Sequence, residues 1–288
     1  MSDRLAVLAQ YLLPKQALTV LAGKLAGLRG GRATTAVIRW FIRRYGVDMA
    51  EAANADPASY ASFNEFFTRP LNPHARLLAS AEVVCPVDGA ISQFGAIAGD
   101  QIFQAKGHHY SVAALLGGDR HLAAEFTNGQ FATLYLSPRD YHRIHMPCDG
   151  RLVEMIYVPG ALFSVNPATA RGVPGLFARN ERVVCVFDAP AGRFAMVLVG
   201  ATIVGSMATV WHGQVNPPRA AQITKWRYDD APVELAQGDE MGRFQLGSTV
   251  VLLFAGERFG FHPGWAAGGS VCMGEAMCAS PEHESGHA

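Results

Sequence analysis

Residues 194–218 form a run of 25 without a single Asp, Glu, Lys or Arg. A run this long and apolar belongs in a bilayer or in a protein core, and its content decides between them. Val197, Val199, Thr202, Ile203, Val204, Thr209 and Val210 are β-branched, and Gly200 and Gly205 interrupt the run. Buried strands fit this better than a spanning helix. The same texture, short apolar runs separated by Gly, Pro and Asp, sets in near residue 80. It recurs at 83–87, 90–98, 131–136, 151–158, 182–187, 203–211 and 249–254. The expected fold is α+β: amphipathic helices over 1–75, then a mostly antiparallel β sandwich or barrel-like domain over 76–262. Residues 263–288, rich in Gly, Ala, Ser and His, read as a loose tail.

The formal net charge is zero, with 24 basic and 24 acidic side chains. Charged residues make up only 17% of the chain. This balance excludes a mostly disordered chain and a nucleic-acid binder driven by overall positive charge. The charge is unevenly placed. Residues 1–50 hold eight Lys and Arg against Asp3 and Asp48, a net +6, which leaves −6 on the rest. Leu5, Leu8, Tyr11, Leu12, Leu18, Leu21, Leu25 and Leu28 recur there at spacings of three and four, with Lys and Arg between them. Uncharged runs in this region are too short to span a bilayer. One or two helices lying in an anionic membrane surface, or a surface helix packed on its own domain, both fit this pattern. The order of a secretory signal peptide is missing. Five cysteines with no C-x-x-C pair point to a reducing compartment, and Cys272, Cys278, His283 and His287 have no zinc-site spacing.

Three stretches could carry chemistry. In Ser137-Pro138-Arg139-Asp140-Tyr141-His142-Arg143-Ile144-His145-Met146-Pro147, Ser137 reads as an N-cap and Pro138 as the first helical residue. One helical turn would set His142 and His145 on one face, suited to proton transfer and equally to a structural or metal-ligating pair. Asp88 in Pro86-Val87-Asp88-Gly89 reads on its own as a turn aspartate. In the stretch from Gly238 to Thr249, the Ser248 hydroxyl follows Gly247, a residue without Cβ, which leaves the Gly247 carbonyl open to attack; a plain turn has the same sequence.

Taken together, these stretches resemble the phosphatidylserine decarboxylase family. The likeness runs in order over residues 63–249. It takes in Phe63-Asn64-Glu65-Phe66-Phe67-Thr68-Arg69, Pro86-Val87-Asp88-Gly89, Lys106-Gly107 with Tyr110-Ser111, and Leu115-Leu116-Gly117-Gly118. The Ser137 to Pro147 stretch, Leu162-Phe163-Ser164-Val165-Asn166-Pro167 and Glu240-Met241-Gly242-Arg243-Phe244 with Leu246-Gly247-Ser248-Thr249 complete it. The Leu-Gly-Ser-Thr form is similar to the bacterial membrane-associated branch.

The resemblance implies a pyruvoyl-dependent enzyme that converts phosphatidylserine to phosphatidylethanolamine through a Schiff base. It implies a precursor in which Asp88 orients His145, His145 takes the Ser248 proton, and Ser248 attacks the Gly247 carbonyl. Cleavage would leave a heavy chain, 1–247, and a light chain, 248–288, headed by the pyruvoyl cofactor made from Ser248. His142 is implied as the proton carrier of the decarboxylation phase, Phe163, Ser164, Val165 and Asn166 as lining for the head group, and no metal is called for. A homo-oligomer, peripheral on the cytoplasmic face of a bacterial cell membrane, is the implied setting. One departure stands out: relatives usually carry Val-Arg-x-Gly-Glu where this chain has Val271-Cys272-Met273-Gly274-Glu275. Three rival readings make different predictions. A Ser-His-Asp hydrolase would stay uncleaved, a non-catalytic membrane-binding β-domain would tolerate Ser248→Ala, and a pyruvoyl enzyme for soluble amino acids would ignore lipid.

Overall fold

The computed structural model describes residues 10, 11, 13–202, 206–245, 248–256 and 259–278, and only the backbone at Ser248. Leu5, Leu8, Leu12, Ile203, Leu246, Gly247, His283 and His287 thus lie outside the described residues. The N-terminal part contributes helices α1 (Lys15–Ala26), α2 (Arg32–Tyr45) and α3 (Phe63–Phe67). In α2 the apolar spacing works as expected: Thr34, Ile38 and Phe41 are buried on one face, and Gly46 ends the helix at a left-handed φ of 69°. Ile38 and Phe41 pack with Tyr60, Phe66 and Phe67 in a small core of their own.

The remainder is β-rich. In chain order the strands are β1 (Gly89–Ala96), β2 (Gln101–Ala105), β3 (His108–Ser111), β4 (Gln130–Leu136), β5 (Arg143–His145), β6 (Gly150–Val158), β7 (Arg182–Ala189) and β8 (Gly192–Val199). There follow β9 (Met207–Thr209), β10 (Gly213–Asn216), β11 (Thr224–Arg227), β12 (Glu234–Leu235), β13 (Glu240–Phe244), β14 (Ser248–Phe254) and β15 (Ser270–Val271). Among the described residues they form an antiparallel sheet ordered β11-β6-β7-β8-β14-β4-β1-β15, with β12 also on β6. A smaller sheet runs β10-β9-β13-β5, and β2 pairs with β3. The fold is α+β as expected, with open sheets rather than a closed barrel.

The large sheet is buried on both faces, which explains the uncharged run through β8. Along β14, Val250, Leu252 and Phe254 face the core shared with the small sheet, where Ile144, Met207, Met241 and Phe244 meet them. Val251 and Leu253 face the opposite core, under the β2–β3 hairpin and short helical segments carrying Leu115, Leu122 and Phe177. A strand in this setting has no solvent face on which to place a charge.

Three expectations are corrected here. Residues 137–147 form a turn followed by β5, not a helical turn. Asp140 N donates to Ser137 O, the Asp140 carboxylate accepts from Ser137 N at 2.6 Å, and β5 pairs with β13. The C-terminal stretch is not loose as far as it is described. Trp265, Val271, Met277 and Cys278 join the main core, and β15 extends the large sheet at β1. The run 83–87 forms only an isolated bridge, Val84 to Ala276.

Candidate active site

Strand ends bring the singled-out residues to one end of the large sheet. The backbone of Ser248 opens β14 opposite Leu136, the last residue of β4. The chain leaving β4 carries Ser137 through His145. Asp88 stands just before β1, whose Ala90 pairs with Tyr135. A Cβ at Gly89 would come within 2.4 Å of Tyr135 O, so only glycine lets the Asp88 turn sit this close to β4.

His145 ends β5, and its N–H donates to Pro86 O at 2.9 Å, tying it to the Asp88 turn. Nδ1 lies 2.7 Å from Gly238 O and Nε2 lies 2.9 Å from the Tyr141 hydroxyl. A carbonyl can only accept, so Nδ1 carries the proton and Nε2 accepts from Tyr141. Burial lowers the His145 pKa from the ordinary imidazole value, against the pull of the Gly238 carbonyl and of Glu240.

Asp88 does not orient His145 in this structure. Its Oδ1 accepts from Arg76 Nε at 3.0 Å and from Met273 N at 2.8 Å, and its Oδ2 accepts from Arg76 Nη2 at 2.5 Å. Arg76 in turn donates to both Glu51 oxygens at 2.8 Å. A two-pronged guanidinium is a stronger claim on a carboxylate than a neutral imidazole N–H. The Arg76 pKa is raised by Asp88 and then Glu51, and Glu51 is lowered by Arg76. Cys272 lines the same cleft, while Arg76 supplies the guanidinium to Asp88.

His142 is fully buried. Nδ1 meets Asp140 O at 2.7 Å, the ring lies 4.1 Å from that of Phe67, and Nε2 has no partner among the described residues. Burial lowers its pKa to about 3, so the ring is neutral with its proton on Nδ1. Phe244 N donates to His142 O, four residues before Ser248. The structure thus leaves one buried imidazole lone pair unclaimed next to the segment leading into Ser248.

The 163–166 loop is held largely by itself and by the N-terminus. Asn166 Oδ1 caps the helix Pro167–Gly172 by accepting from Thr169 N, and Val165 is buried. Phe163 is enclosed by the Tyr11 ring, Lys15 Nζ at 4.4 Å and Arg179, and Ser164 N donates to Gln10 Oε1. Asn180 Nδ2 ties Phe163 O to Gly200 O, next to Val199, which pairs with Thr249. The loop therefore borders the same sheet end, but its polar side chains have structural work. Sequence reasoning gave no role to Arg76, Glu51, Gly238 or Tyr141. Tyr141 and Gly238 lay inside singled-out stretches; Arg76 and Glu51 are joined to the site only by long-range contacts.

The family model described as phosphatidylserine decarboxylase matches residues 63–279, and a second, described as PSD, matches residues 5–46. This chain belongs to the phosphatidylserine decarboxylase family. It is 69% identical over 281 residues to the phosphatidylserine decarboxylase proenzyme of Albidiferax ferrireducens, covering 98% of this chain and 99% of that protein. The proenzymes of Dechloromonas aromatica and Acidovorax ebreus are 70% and 72% identical, each over 96% of this chain and 98% of its relative. The family match spans both halves of the site, from α3 to β15.

Proposed function

We propose that this chain is the precursor of a phosphatidylserine decarboxylase, which cleaves itself between Gly247 and Ser248 and then releases the substrate carboxyl group as CO₂ to give phosphatidylethanolamine. The observation that carries the reading beyond family membership is the neutral, buried, unclaimed Nε2 of His142 at the approach to Ser248. In maturation, His145 Nε2 exchanges its Tyr141 partner for the Ser248 hydroxyl and takes that proton. The Ser248 oxygen attacks the Gly247 carbonyl, the peptide C–N bond breaks, and the linkage becomes an ester. Elimination across Cα–Cβ of residue 248 frees residues 1–247 as a carboxylate, and hydrolysis with loss of ammonia leaves a pyruvoyl group at the head of residues 248–288. Asp88 aids the imidazolium through space, its charge raising the His145 pKa.

The pyruvoyl carbonyl supplies an electron sink for the pair released as CO₂ departs. The residues present fit it, because His142 Nε2 is an acceptor without a hydrogen-bond partner among the described residues. It would pass one proton to the α-carbon after CO₂ has left, and because the product amine is released again as an ammonium, each turnover takes up one proton from solvent. Intact mass under denaturing conditions tests the reading. Two fragments split at 247/248 are expected, the light one lighter than its Ser-headed sequence by one ammonia. A single full-length mass from a chain that decarboxylates phosphatidylserine would overturn the pyruvoyl route.

The N-terminal helices serve the lipid substrate in this reading. Leu18, Leu21, Leu25 and Leu28 are exposed along and just beyond α1, as are Val37 and Trp40 on α2 beside Arg39, Arg43 and Arg44. Among the described residues no helix is long and apolar enough to cross a membrane. An apolar stripe flanked by cations suits the surface of an anionic bilayer, here the cytoplasmic face of the cell membrane. Deleting residues 1–45 is a poor test, because Phe41 covers Phe63, Phe66 and Phe67. Leu21→Glu with Leu25→Glu alters exposed positions alone. The double variant is expected to lose most binding to phosphatidylserine vesicles in a flotation assay and to keep its cleavage; undiminished flotation would sink the membrane assignment.

A further inference from the structure

Among the described residues Arg69 makes no hydrogen bond or ion pair with a carboxylate, although Glu51 and Asp88 act on it through space. It follows α3, is only 3% exposed, and lies with its guanidinium 5.3 Å from the Phe66 ring centroid. Its Nη2 donates to Arg139 O at 3.3 Å, and its Nε is buried with no hydrogen-bond partner among the described residues. The other arginines nearby have carboxylate partners: Arg76 in Asp88 and Glu51, Arg139 in Asp140 at 3.7 Å, and Arg143 in Glu240 at 2.7 Å. Burying a guanidinium without an anion hydrogen-bonded to it is costly, and an anion that bonds the free Nε offsets part of that cost.

Arg69 lines a cleft of about 460 Å³ whose walls include Tyr135, Ser137 and Tyr141 together with the carboxylate residues Asp48, Glu51, Asp88 and Asp140. Tyr135 is the β4 partner of Thr249, so the cleft opens beside the start of β14. We propose that this cleft is the head-group site and that Arg69 binds the phosphodiester of the phospholipid. The assignment rests on the decarboxylase reading above and names the residue that holds the part of the substrate that does not react.

A carboxylate is the poorer occupant. The substrate carboxylate loses its charge as CO₂ leaves, so a guanidinium fixed to it would stabilise the ground state more than the transition state. A phosphodiester keeps its charge throughout, and contact with it gives uniform binding, visible in KM rather than kcat. Burial lowers the Arg69 pKa, yet an arginine stays charged at neutral pH and keeps its planar fork for phosphate oxygens.

The test uses the full chain and two soluble probes, glycerophosphoethanolamine, which has the phosphodiester and no carboxylate, and L-serine, which has the reverse. Glycerophosphoethanolamine is expected to shift the Arg69 Nε–H resonance of the unmutated protein and L-serine to leave it in place; a shift with L-serine alone, or with neither probe, overturns the proposal. Inorganic phosphate competing as well as the diester would overturn the head-group assignment. Arg69→Gln is expected to raise KM for phosphatidylserine in mixed micelles about tenfold or more with kcat kept within a few-fold, and Arg69→Lys to recover part of the loss. An unchanged KM in a folded Arg69→Gln protein counts against Arg69. Absence of any decarboxylation by the unmutated protein would instead remove the parent reading, while the resonance shift still reports on the Arg69 site.

Discussion

Asp88→Asn is expected to stop self-cleavage and to lower stability by about 3 kcal/mol. The two effects have different origins. The carboxylate is buried with Arg76, whose own side chain is 9% exposed, and both of its oxygens are taken by the guanidinium. Removing the charge strands most of a buried cation, because Glu51, the remaining partner, is 41% exposed and better solvated. Chemistry suffers separately: burial lowers the His145 pKa, Glu240 and to a lesser extent Asp88 oppose it through space, and the variant removes the Asp88 share. Urea unfolding in a Ser248→Ala background reads the first effect with every chain uncleaved; mass spectrometry of the single variant reads the second. Normal cleavage in a destabilised Asp88→Asn protein would mean that Asp88 is an architectural partner of Arg76 and nothing more. Lost cleavage at unchanged stability would mean that Asp88 leaves Arg76 for His145 in the working precursor. The structure favours both effects together.

Much of the β domain was legible because burial on both faces writes long uncharged, β-branched runs, and β1, β4, β6, β7, β8 and β14 all lie where such runs fall. The 137–147 stretch misled for a local reason. Ser, Pro and Asp at that spacing begin a helix or close a turn with equal ease, and what decides is the pairing of His145 with Glu240, 95 positions away. That pairing turns the two imidazoles to different surroundings, His142 into full burial against Phe67 and His145 toward Tyr141. The Glu51–Arg76–Asp88 chain had no signature for the same reason. Its members are 25 and 12 residues apart, with no periodicity linking them, and only the folded loop after α2 brings them together. The N-terminal stripe was legible as a pattern, whereas the docking of Gln10, Tyr11 and Lys15 around Phe163 was not.

His142→Gln is expected to leave cleavage at 247/248 intact and to lower decarboxylation by about 10²- to 10⁴-fold, the usual worth of a placed acid–base group. Like the Thr249 hydroxyl beside Ser248, the ring holds a buried polar atom, here an acceptor nitrogen, with no hydrogen-bond partner among the described residues. Because burial lowers its pKa to about 3, the neutral acceptor persists far below the ordinary imidazole range. The acid limb of wild-type decarboxylation should therefore lie below pH 6.5. Stability carries the same signature. Unfolded, His142 takes up a proton near pH 6.5; folded, it does so only near pH 3, so the unfolded state binds more protons between these values. The contribution is complete above pH 6.5 and is lost as the pH falls, by about 1.4 kcal/mol for each unit. Glutamine does not titrate, so urea unfolding at pH 7 and pH 5 should show a smaller pH dependence in His142→Gln than in the parent. A variant that decarboxylates normally but loses this pH dependence would leave His142 as a buried structural imidazole and return the α-carbon proton to another donor, with His145 the next candidate at the same end of the sheet.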